Sequence, residues 1–190
     1  MQNPETLFTE HRTHRAWLSK PVEPELLQRL YNLAKWGPTS ANTSPMRVVF
    51  VTSPQAKQTL LTCVDAGNVE KTKQAPVTAI IAYDSLFYEK MPVLFPHTDA
   101  RAWFEGNEAL VQSTAFRNSS LQGAYFILAA RMLGLGAGPM SGFNSQKIQE
   151  LLMPHPHWVP NFLCNIGYPD ASALHPRQPR LNFEEACTVL

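Results

Sequence analysis

Three short segments, far apart in the chain, hold residue types that could do chemistry together. His11-Arg12-Thr13-His14-Arg15 gathers cations and a hydroxyl. That set suits a phosphate, because an arginine fork makes charge-assisted, often bidentate hydrogen bonds to phosphate oxygens. Gly37-Pro38-Thr39-Ser40-Ala41-Asn42 offers hydroxyls and an amide suited to sugar hydroxyls and to the polar edge of a ring. Gly138-Pro139-Met140-Ser141-Gly142-Phe143 follows a long apolar segment, and its glycines let backbone amides approach a flat cofactor. Each segment alone has an ordinary structural use, as a solvated helix end, a helix stop or a turn. Their order and spacing together point to a site for a flat-ringed nucleotide that carries a phosphate.

Other chemistries find less support. Gly134-Leu135-Gly136-Ala137-Gly138 looks like a dinucleotide-binding loop, but such a loop needs a strand before it and a helix after it. Here a helical segment comes first. His11-x-x-His14 and His155-x-His157 supply imidazoles without cysteines or paired carboxylates at ligand spacing, so no metal site is expected. No GxSxG context marks a nucleophilic serine.

The elements that must position these segments can be read from the pattern. With 190 residues, 44% of them hydrophobic, the chain is long enough for one domain with a real core. Charged residues are only 16%, which suggests that another subunit covers part of the surface. The net charge of +1 and the lack of a basic stripe argue against nucleic acid or an anionic membrane as partner. No run approaches a membrane span, the start of the chain lacks a secretory pattern, and Cys63, Cys164 and Cys187 form no CxxC; a cytoplasmic protein is expected.

A helix is expected over 6–17, and a second opens at Pro24 and stops at Gly37. Strands are expected over 47–52, 76–83 and 161–168, with a helix capped by Ser53-Pro54 and a short one over 145–152. Residues 84–112 have no sustained period and read as a cover over a site. A long helix over 118–133, apolar on both sides, should be buried all round and shared with a subunit interface. Residues 169–190 form a proline-rich carboxy-terminal arm. Helices first, with few and widely spaced strands, imply an α+β fold with a mostly antiparallel sheet across a single domain, 1–190.

Nearly the whole chain resembles the FMN-dependent nitroreductase family. The resemblance rests on RTHRAW (12–17), KWGPTSANTSP (35–45), GNVEKT (67–72), APVTAIIAYDS (75–85), LFPHTDARAWF (94–104), TAFRNSSLQGAY (114–125), GPMSGF (138–143), NIGY (165–168) and PRLNFEEA (179–186). Within that family it is most similar to the malonic semialdehyde reductase subfamily of pyrimidine degradation. The resemblance implies an α-β-α sandwich, an intertwined homodimer with the flavins between subunits, FMN as cofactor and NADPH or NADH as electron donor. Hydride would pass through flavin N5, with no catalytic side chain, to 3-oxopropanoate, giving 3-hydroxypropanoate. A broad nitro or quinone reductase is the alternative acceptor reading, and a non-catalytic FMN-binding protein is the alternative of another class.

The family's phosphate and ribityl positions fall on His11, Arg12, Thr13 and Arg15, and its late phosphate-binding arginine on Arg180. Arg177 could stand in for the family's lysine, which is Gln178 here. Pro38, Thr39, Ser40 and Asn42 match the loop that approaches the flavin from the partner subunit. Asn68 and Lys71 match the pyrimidine side of the ring, and Pro139, Met140, Ser141 and Gly142 the backbone beside it. For a substrate carboxylate, Arg101 and then Arg117 are the candidate cations; Arg101 could instead pair with Asp99 or Glu105. The proton donor is open among water, a ribityl hydroxyl, His97 and Tyr88.

Overall fold

The computed structural model describes residues 5–190; the first four residues of the expected domain lie outside it. After a helical turn over Thr6–Glu10, the elements are α1 (Pro24–Ala34), β1 (Met46–Val51), α2 (Pro54–Leu61), α3 (Ala66–Gln74) and β2 (Val77–Asp84). Then come α4 (Met91–Leu94), α5 (Glu108–Met132), β3 (Gly136–Met140), α6 (Ser145–Leu152), β4 (Trp158–Gly167) and α7 (Phe183–Ala186). The strands form one antiparallel sheet in the order β1-β2-β4-β3.

The alternation of β2 explains the layering, because successive side chains of a strand point to opposite faces. Val77, Ala79 and Ile81 face a core with α1 and α5, built on Leu30, Ala34, Phe126 and Ala130. Ile80 faces a second core with Leu60 of α2 and Ile148 of α6. Helices on both faces leave every residue of β2 buried, giving the expected α-β-α sandwich. Among the described residues, no helix is long and apolar enough to cross a membrane.

Local signals set most boundaries. Pro24 occupies the first turn of α1, and Ser53 caps α2 by accepting a hydrogen bond from the Ala56 amide at 3.2 Å. Gly134, at φ +77°, ends α5 in the left-handed region. Three expectations change. The stretch 6–17 is helical only over Thr6–Glu10 and then runs extended, because its backbone is used for sheet pairing described below. The GPM segment is a strand, not a turn. And α5 starts ten residues earlier than expected, at Glu108, where the Asn107 side chain accepts from the Leu110 amide at 3.1 Å.

α5 is also not buried all round. Its inner face carries buried polar groups with defined tasks. Asn118 accepts from the Ser40 amide at 2.8 Å, and Gln122 accepts from the Met46 amide at 2.9 Å where β1 begins. Its outer face shows Phe116, Leu121, Tyr125 and Met132 exposed in the single chain. Spacings of four and three place Leu121, Tyr125, half-buried Leu128 and Met132 in one stripe.

Between α2 and α3 lies a buried lysine. Lys57 donates to the carbonyls of Thr72 (3.3 Å) and Ala75, capping the carboxy-terminal end of α3. Burial holds its pKa down at about 8 from the ordinary 10.5. Below pH 8 both folded and unfolded chains carry this proton, and the cost of burying the charge is fully present. Between about 8 and 10.5 the folded chain releases it while the unfolded chain retains it, so this group makes stability rise with pH. Lys57→Met should flatten the rise in urea midpoint over that window, and an unchanged pH profile would refute the assignment.

Candidate functional site

The site begins with a backbone contact. Past the first helical turn, the amino-terminal segment lies along the free edge of β3, with Thr13 bridged in parallel to Ala137 and the His14 amide donating to the Ala137 carbonyl at 3.2 Å. Further on, the Leu18 amide donates to the Tyr168 carbonyl at 2.9 Å, tying the same segment to the end of β4. The approach is close enough to require glycine. A Cβ on Gly138 would stand 2.5 Å from the His14 carbonyl oxygen, inside any real contact. This pairing sets the basic cluster over the glycine strand.

A cavity of about 500 Å³ opens there. Among the described residues its lining includes six permanent cations, Arg12, Arg15, Lys71, Arg131, Arg177 and Arg180, and no carboxylate. His11, His14 and His175 add imidazoles. The carboxy-terminal arm closes one side: Arg177 donates to the backbone carbonyls of Thr9 and, at 3.0 Å, of His11. Arg12 turns one guanidinium nitrogen to the Thr9 and Glu10 carbonyls at 3.3 and 3.2 Å.

The surroundings lower the pKa of His11, His14 and Arg131 alike. His11 is held below the usual histidine range first by burial and then by Arg131. His14 is lowered by burial, then by His11 and Arg131. Among the described residues four buried side-chain polar atoms lack a hydrogen-bond partner. Two of them, His14 Nδ1 and Arg131 Nε, belong to lining residues, and a third, Trp17 Nε1, is on the ring packed beside His14, 6.3 Å between centroids. A cluster of cations with no carboxylate among them and with unused donors is an anion site by its chemistry. The donor set fits a phosphate monoester with adjoining hydroxyls.

Pro139 lines this cavity and also a wider hollow of about 590 Å³, whose wall includes Met140, Ser141, Phe116, Ala124 and Phe162. Thus β3 joins a charged chamber to a largely apolar one. The turn leaving β3 is fixed from α3: Gly142 accepts from the Asn68 side-chain amide at 2.7 Å and from the Asp65 amide at 3.0 Å. A Cβ on Gly142 would sit 2.6 Å from Asn68 Nδ2.

The structure therefore brings His11, Arg12, Thr13, Arg15, Lys71, Pro139 and Arg180 together in one cavity, with Met140 and Ser141 on the adjoining hollow. Asn68 lines neither and holds Gly142 in place. Pro38, Thr39, Ser40 and Asn42 also line neither. Their loop is pinned by Asn118 and by a 2.8 Å bond from Asn42 to the Leu94 carbonyl, with Ala41, Asn42 and Ser44 at φ +46°, +53° and +40°. Non-glycine residues in that region cost about 1–3 kcal/mol each, a strain typical of loops with a specific task.

Arg101 is engaged elsewhere, by Glu89 at 3.0 and 3.1 Å and by Glu105 at 3.0 and 3.2 Å. That arrangement includes the Glu105 pairing expected above and adds Glu89. Arg117 is exposed on α5 beside Phe116. Among the polar cavity residues, Arg131 and His175 went unnoticed as candidates. Arg131 did carry a signal, as the sole charge in the apolar run 121–135.

With this geometry in hand, relatives are informative. The sequence profile of the nitroreductase family matches residues 8–168. A protein of Ralstonia nicotianae, provisionally named an NADH dehydrogenase/NAD(P)H nitroreductase, is 55% identical over 184 residues, covering 97% of this chain and 94% of its own length. A protein of Polynucleobacter asymbioticus with the same provisional name is 56% identical over 189 residues, covering 100% and 96%. The chain belongs to the nitroreductase family. Its fold matches a crystal structure from Exiguobacterium sibiricum, provisionally named a nitroreductase and solved in complex with FMN. The TM-score is 0.88 at 17% identity, over 100% of this chain and 98% of that one.

Gly138→Ala tests the contact on which the site is built. It should cost about 1–3 kcal/mol, read as a lowered urea midpoint, and should increase protease cleavage within residues 5–18. An alanine variant as stable and as resistant as the parent would contradict the close approach.

Proposed function

We propose that the chain is an NAD(P)H-dependent FMN oxidoreductase that works as a homodimer. The single observation carrying this reading is the all-cation cavity joined at Pro139 to a wider, largely apolar hollow. One chamber suits a phosphate and ribityl chain, the other a flat ring. The names of the relatives support NAD(P)H as donor, and the FMN held by the Exiguobacterium protein supports the cofactor.

In this reading Arg12, Arg15 and Arg180 neutralise the phosphate, and the Thr13 hydroxyl serves the ribityl chain. Lys71 brings a positive charge to the chamber wall, where it would favour the anionic form of a reduced ring. The backbone beside Pro139 and Met140 lies along the ring, and the Ser141 or Gly142 amide donates to its edge, stiffened by Asn68 on the Gly142 carbonyl. Bound there, the flavin supplies hydride transfer through N5. The protein contributes position, charge and exclusion of water. The exposed stripe of α5, with Trp36 at 78% exposure, supplies the apolar face for a second copy. The strained Pro38–Asn42 loop would then complete the partner's ring site, and residues 85–107 would form the cover.

For the acceptor, the sequence resemblance favours 3-oxopropanoate, reduced to 3-hydroxypropanoate in pyrimidine degradation, with Arg117 the cation less committed than Arg101. A second reading, a broad nitro or quinone reductase, is favoured by the four hydrogen bonds that tie Arg101 to Glu89 and Glu105.

Anaerobic stopped-flow absorbance on the flavin-loaded protein separates these readings. NADPH should bleach the flavin within seconds, and 3-oxopropanoate should restore the colour faster than a nitroarene or benzoquinone. Faster recovery with the latter two selects the second reading, and slow bleaching leaves only a flavin-binding protein. Deleting residues 174–190, which removes His175, Arg177, Gln178 and Arg180 from the cavity wall, should weaken FMN binding at least tenfold by fluorescence titration.

A further inference from the structure

Arg131 stands in the last turn of α5 and reaches the cavity from the middle of the fold, whereas the other lining arginines come from the two chain ends. Its Nε is buried with no partner, an arrangement that costs free energy unless something else accepts from it. A cation in the last turn does complement the helix dipole, but an exposed side chain does that equally well and does not explain burial among like charges. Among the described residues, the group that acts on it as an anion is Cys164. Burial pushes that thiol up to about 12, so it is neutral at ordinary pH. Arg131 is itself lowered mainly by burial, with Arg177 adding to the effect and Cys164 opposing it. His11, His14 and Arg177 all feel Arg131 as a repelling neighbour.

We infer that Arg131 donates from its half-buried guanidinium to the phosphate end of the nucleotide, making the central helix a third arm of the grip beside the amino-terminal segment and the carboxy-terminal arm. The inference rests on the flavin reading given above. Two features follow from it. An anion in the cavity would pair with a guanidinium that has no hydrogen-bond partner among the described residues and would relieve the repulsion among the six cations at once. And the same helix that presents an apolar stripe on its outer face would sense whether the chamber is filled.

The test compares FMN with riboflavin, which differ only in the phosphate. Apo protein is titrated with each by flavin fluorescence quenching, for the parent, Arg131→Met and Arg131→Lys. Arg131→Met should weaken FMN at least tenfold while leaving riboflavin within twofold, and Arg131→Lys should fall between. Equal weakening of both ligands, or no change in FMN, overturns the inference. Thermal melting of the apo proteins provides a second readout. Inorganic phosphate, against chloride at matched ionic strength, should raise the parent midpoint by several degrees and that of Arg131→Met much less. Because Arg131→Met removes a repelling charge, its apo midpoint without phosphate should equal or exceed the parent's. Should Arg131→Met not fold, Arg131→Lys alone decides by the same ratio of FMN to riboflavin. A parent that binds neither flavin rejects the flavin reading, and the phosphate arm then judges Arg131 by itself: protection of parent and variant alike overturns its role.

Discussion

The structure turns on one close backbone approach, where the amino-terminal strip lies on the edge of β3 with Gly138 beneath the His14 carbonyl. Strand pairing uses the amides of this strip, which leaves its side chains free to project over β3. The consequence is a gathering of positive groups that would repel one another in any fold lacking a use for them. Desolvation sharpens the effect, since charges in a partly buried chamber interact more strongly than in water. The fold holds this unfavourable cluster because the sheet beneath it is stabilised independently, by two cores on opposite faces.

The central helix answers to several demands at once. Its inner face is anchored by amides, not only by apolar packing: Asn118 accepts from the Ser40 backbone, and Gln122 satisfies a Met46 donor that would otherwise be buried without a partner. The Pro38–Asn42 loop is thereby coupled to the helix that also supplies Arg131. A polar residue on a buried helix face is costly unless fully paired, and pairing of this kind fixes register more sharply than leucine contacts do.

Much of this was legible in the sequence, and the exceptions share a cause. α1, α2 and α6 follow from Pro24, Ser53-Pro54 and helical periodicity, all local signals. β2 follows from a β-branched run. The extended strip after Glu10 was not legible, because its local composition suits a helix and only the distant edge of β3 draws it out. β3 itself, with three glycines or prolines in five residues, has no strand propensity; it is a strand through its ladder with β4. The early start of α5 was hidden by mixed polar residues, although Asn107 marked it. For the site, residues that match a recognisable pattern were found. Arg131, which belongs to no local motif, needed the packing of a helix end against both termini to reveal it.

The segment between β2 and α5 has a small apolar centre of its own, where Phe87, Met91 and Phe104 are buried and two of the rings meet edge-on at 4.9 Å. Arg101 staples its turns from outside. A segment with a private nucleus and an external brace tolerates rebuilding as a unit. Evolution could therefore lengthen, shorten or reline this segment without disturbing the charged cavity, to whose lining it contributes no residue.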